Sequence, residues 1–161
     1  KIHNSPAQNM YTAQQYTRVN YGFVHETYEY DGNAGRLWSK NTSANRSAFG
    51  INQSASFRDI TDGSTNTLLM IETPQRKASS AYGPFLQAYV HTHFITPFNR
   101  HLNERYRGTP NPYAWGAGSK HVGGAHALLG DASVRFLSQN MDRNILRKIE
   151  SISAGDIPGE F

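Results

Sequence analysis

Apolar and polar positions along the C-terminal third of the chain follow the two-residue period of a β-strand. Ala127-Leu128-Leu129 and Val134-Arg135-Phe136-Leu137 are both β-compatible, and Gly130-Asp131-Ala132-Ser133 between them carries turn-forming residues, so the pattern predicts a hairpin. Upstream, Asn66 to Glu72 has Leu68 and Met70 on one side and Leu69 and Ile71 on the other, which predicts a central strand covered on both faces. Arg18 to His25 alternates well enough for a further strand, with Val19, Tyr21 and Phe23 sharing a side. The pattern switches to a helical period at Asp142 to Glu150, where Ile145, Leu146 and Ile149 fall on one face and Asp142 or Asn140 can cap the start.

Between these elements the chain is punctuated by loops. Residues 1 to 18 show no convincing period and read as an extended lead-in. Tyr30 to Gly35 and Ser39 to Arg46 read as turn and polar loop, and Phe49-Gly50-Ile51 restarts ordered structure. Residues 74 to 118 combine Pro, Gly and Asn with many aromatics and histidines, a composition that suits recognition loops.

Composition sharpens this picture. A chain of 161 residues with 37% hydrophobic positions is long enough to build one core, so residues 1–161 are expected to form a single domain. The 14 glycines and 7 prolines weigh against a helical bundle and favour a loop-rich, mostly β fold. Without cysteine, disulfides contribute nothing. A net charge of +4 attracts anions in a general way, but no block of five like charges marks a dedicated patch.

Two motifs in order carry a family resemblance. His121-Val-Gly123-Gly124-Ala-His126, with nine residues between His121 and Asp131, resembles the "His, nine residues, Asp-Gly" domain of prepilin-like secreted proteins of the planctomycete type. Ile60-Thr61-Asp62-Gly63-Ser64-Thr65-Asn66-Thr67, followed by a strand ending in Glu72, is similar to that family's other signature, and Ile145 to Asp156 to its closing segment. The resemblance spans about residues 20 to 161. It implies an α+β, mostly β fold: a pilin-like globular head with an antiparallel sheet and a minor C-terminal helix. The family's short leader, cleavage site and apolar anchor helix would then lie upstream of Lys1, and membrane contact would come only through that helix. Ala132 departs from the family's turn glycine, and since alanine resists positive φ, the residue predicts a turn that keeps φ negative.

Candidate chemistry is sparse. Asp59, Asp62, Asn66 and Glu72 form an oxygen-rich group of the kind calcium needs, and calcium is the one cofactor this pattern suggests; the rival reading makes Asp62 an Asx turn, with Asn66 and Thr67 bonding backbone. His91 and His93 would share a strand face, while His121 and His126 lie five apart across the Gly-Gly bend, where Glu104 or Asp131 would complete a first-row metal cluster. Ser119, His121 and Asp131 supply the names of a hydrolytic triad without the elbow that presents a nucleophile. His121 reads better as a ring tying the Gly123-Gly124 bend to the Asp131 turn.

The expected function is structural: a pilin-like or pseudopilin-like subunit that assembles with copies of itself or with secretion-system components, without catalysis, outside the bacterial cell, at its surface or in the periplasm. Tyr89, Tyr113, Trp115, Arg105 and Arg107 are the expected interface anchors. The alternatives are a binding module for polysaccharide or nucleic acid and, less supported, a metal-dependent hydrolase.

Overall fold

A computed structural model describes residues 18–24, 46–50, 53–78, 102–155, 158–159 and 161. Tyr89, His91, His93 and the other aromatics of 79–101 lie outside them, as do the lead-in and the loops at 30–35 and 39–45.

Six strands are present among the described residues: β1 (Tyr21–Phe23), β2 (Phe49–Gly50), β3 (Gln53–Ser54), β4 (Leu68–Glu72), β5 (Gly124–Leu129) and β6 (Val134–Ser138). One α-helix, α1 (Arg143–Glu150), follows. The fold is mostly β. β1, β4, β5 and β6 form an antiparallel sheet in that order, and β2 pairs with β3. The doubly apolar β4 is central, as its pattern predicts, and a register shift between Leu68 and Met70 lets both Leu68 and Ile71 bury. No helix among the described residues is long and apolar enough to cross a membrane.

The register sorts the side chains onto two faces. Ile71, Ala127, Ala125 and Leu137 face the core, where α1 adds Leu146 and Ile149. Asp142 caps that helix by accepting a hydrogen bond from the Asn144 N–H at 2.6 Å. The opposite face carries two cross-strand rows. Phe23 pairs with Met70, Met70 with Leu128 and Leu128 with Val134. In the other row Tyr21 pairs with Glu72 and His126 with Phe136, and continuing the Ile71–Ala127 register by one residue sets Glu72 beside His126. Tyr21 and Phe23 do share a side, but Tyr21 is exposed, and Gly22 and Val24 are the members of this segment that bury.

The β5–β6 turn departs from its expected form. Ala132 donates to the Leu129 carbonyl at 3.0 Å and Leu129 to that of Ser133 at 2.9 Å, which puts Ala132 in the left-handed bulge position of a three-residue hairpin loop. Its φ is +67°, not negative. The turn is held from outside: Gly130 N–H donates to Thr67 and Asp131 N–H to Ser64, so the loop cannot relax around the alanine.

Candidate functional site

Three side chains meet where β4 ends and β5 begins. Glu72 is the last residue of β4, and its backbone carbonyl accepts from the Gly118 N–H at 2.9 Å. Its largely buried carboxylate accepts the His126 backbone N–H at 2.7 Å through Oε2. The same oxygen lies 3.4 Å from His126 Nδ1, while Oε1 lies 3.3 Å from His121 Nε2. The imidazoles stand edge to face, 4.9 Å between centroids, and the His126 ring meets Phe136 at 5.2 Å. Both rings are about half exposed, so the carboxylate is covered while its partners face solvent.

The loop carrying His121 is locked by its neighbours. The Ser119 hydroxyl donates to the Gly124 carbonyl at 2.7 Å and accepts the His121 N–H at 2.9 Å, and the Ser119 N–H donates to Asn103 Oδ1 at 2.8 Å. Gly124 is required at the strand start because a Cβ there would lie 2.0 Å from the Leu137 carbonyl oxygen. A cavity of about 520 Å³ opens beside the cluster, walled by Asn20, Tyr21, Glu72, Arg76, Lys120 and His121. Behind its Thr73 wall the buried Lys77 amine donates to Thr73 Oγ1 and, at 2.8 Å, to the Gly116 carbonyl. Burial, and secondarily the Arg18 charge, push the Lys77 pKa down to about 7. A neutral amine has two N–H donors, which matches its two acceptors.

Several sequence expectations are corrected. His121 and Asp131 do not pair: the six residues of β5 separate them by an extended span of about 17 Å. Asp131 instead accepts from the Ser133 hydroxyl at 2.6 Å and the Ser133 N–H at 2.9 Å, bonds that hold its carboxyl below the ordinary value. A Ser119–His121–Asp131 triad is excluded by the same separation. Glu104 lies 3.8 Å from Arg143 and is not the carboxylate that joins the histidines.

The four calcium candidates do not converge. Asp59 accepts the Ser56 N–H at 2.8 Å in a local turn, and Asn66 donates to the Asp62 carbonyl at 3.3 Å, while Glu72 sits at the far end of β4 with the histidines. Nor does the Asp62 carboxylate close an Asx turn. It accepts from Ser151 Oγ at 3.1 Å and from the Ala154 and Gly155 N–H groups at 2.8 Å each, clasping the C-terminal segment. Asn66 and Thr67 do bond local backbone, and Gly63 after Asp62 has a positive φ (+95°).

Among the expected anchors, Trp115 is buried at 6% exposure and belongs to the interior. Tyr113 is half-buried, its ring 5.1 Å from Tyr106, over which Arg107 lies at 5.2 Å; Arg105 is exposed and bridges to Pro112. Sequence reasoning missed Glu72 as the partner of both histidines. The signal that would have found it is adjacency of β4 and β5, which brings the acid closing one motif against the histidines opening the other.

A family model described as "Protein of unknown function (DUF1559)" matches residues 3–144. No curated protein and no solved structure matches the chain.

Proposed function

The chain belongs to that family, and from this premise we propose that it is a non-catalytic, pilin-like or pseudopilin-like subunit that assembles with further copies of itself on the bacterial surface or in a secretion apparatus. The observation that carries the reading is the outer face of the four-stranded sheet. Tyr21, Val134 and Phe136 stand 55%, 64% and 47% exposed there, on the same face as Phe23, Met70 and Leu128. Removing large apolar side chains from water is favourable, so a face that gathers them in the open is the usual mark of an interface. The resemblance to self-assembling heads makes a second copy the fitting occupant. Ser119 supports a non-catalytic reading because its hydroxyl is committed to the Gly124 carbonyl as a loop lock.

Sedimentation velocity over a concentration series tests this. The wild-type chain should associate reversibly, and a Val134→Lys/Phe136→Glu variant should remain monomeric with an unchanged melting curve. A wild-type chain that stays monomeric throughout the series would overturn the assembly reading.

The second reading, a binding module, draws on the Tyr106–Tyr113 pair with Arg107 above it, since stacked rings beside a guanidinium suit sugar or base faces. Loss of oligosaccharide or oligonucleotide binding on Tyr113→Ala, with association intact, would favour it.

A further inference from the structure

Glu72 and His126 stand side by side among the apolar residues of the sheet's outer face, and the loop before β5 brings His121 onto the same carboxylate. One nitrogen from each ring and one carboxylate oxygen lie within 4.8 Å of one another. Ligands around a tetrahedral ion bound at about 2.1 Å are about 3.4 Å apart; here each ring nitrogen already meets the carboxylate, His121 Nε2 at 3.3 Å from Oε1 and His126 Nδ1 at 3.4 Å from Oε2. A shift of the exposed rings closes the remaining gap.

The geometry points to a binding site for a first-row transition-metal dication at Glu72, His121 and His126. Two imidazoles with one carboxylate suit zinc and its neighbours better than the hard, all-oxygen demands of calcium. The supports are those a metal site requires. Glu72 is held by the His126 N–H, His126 is placed by its register with Phe136, and the His121 loop is fixed through Ser119, Asn103 and Gly124. An ion enters from solvent across the exposed rings. Three protein ligands leave coordination positions open, and the adjoining cavity, with Arg76 and Lys120 in its wall, has room and charge for a water or small anion there.

Titration calorimetry of the full chain with Zn²⁺ tests the site. One equivalent should bind, with affinity reduced about tenfold or more in both His121→Ala and His126→Ala. Co²⁺ should develop visible absorption bands that both variants lose. The five other histidines are the internal control: binding that persists undiminished in either variant, or no binding by the wild-type chain, would overturn the site. Should a variant fail to fold, imidazole ¹⁵N spectra of the wild-type protein decide the matter, since Zn²⁺ must shift the His121 and His126 rings, and shifts confined to other rings would refute the assignment.

Discussion

Replacing Ala132 by glycine should stabilise the protein. The residue holds φ at +67° in the bulge of the β5–β6 turn, a region that disfavours an L side chain by about 1–2 kcal/mol. Its methyl group is exposed, so no packing is lost on removing it. Glycine makes the unfolded chain more flexible, which offsets about 0.4–1 kcal/mol of the relief. The net gain is about 1 kcal/mol, which for a chain of this length raises the melting temperature by about 2–4 °C. Thermal unfolding followed by circular dichroism measures it, with Ala132→Val as the converse, because a β-branched side chain is still worse at positive φ. The external bonds from Gly130 and Asp131 to the 64–67 segment make the argument sharp, since they deny the turn an escape to negative φ. A glycine variant that melts no higher than wild type, with a neutral valine variant, would refute the left-handed assignment.

Two further predictions concern buried polar groups. Lys77 has an ordinary pKa of 10.5 in the unfolded chain and about 7 in the fold, so between these values the unfolded state holds a proton that the folded state has released; stability therefore rises with pH across this window and levels off below it. From pH 7 to pH 10 this group contributes on the order of 4 kcal/mol, a slope that urea unfolding should find in the wild type and not in Lys77→Met; parallel profiles would count against it. Asp62→Asn sets an amide N–H₂ against donors from Ser151, Ala154 and Gly155, and should destabilise by about 3 kcal/mol while making residues after 150 sensitive to protease. An unaltered digestion pattern and melting curve would show that the clasp is dispensable.

What the sequence made legible was local. The β5–β6 hairpin, β4 and α1 follow from periodicities contained within each segment, and Asp142 caps the helix two residues from its donor. The pairing of Glu72 with His126 was not legible, because it joins residues 54 apart through a strand register in which one step of slip would turn either side chain to the other face. Asp62 misled in a related way: an Asp before Gly suggests a local turn, yet its partners lie about 90 residues on. Trp115 was read as an anchor and is core, since an aromatic in a Pro- and Gly-rich segment gives no period from which burial follows. Ala132 was misjudged because tertiary bonds to the 64–67 loop overrule the intrinsic preference of alanine.

The Asp62 clasp also sets an order of events during synthesis. The β5–β6 hairpin closes a short loop and can form as soon as it emerges, but Asp62 waits for Gly155, 93 residues later. At a translation rate of about 5–20 residues per second that interval is several seconds. During it the Asp62 carboxylate lacks its partners, and Ile152 is not yet there to pack over Ile60 and over Leu69 of β4. A nascent chain stalled short of Ser151 is therefore in the state most open to chaperones and proteases, and emergence of residues 151–155 is the step that closes the clasp.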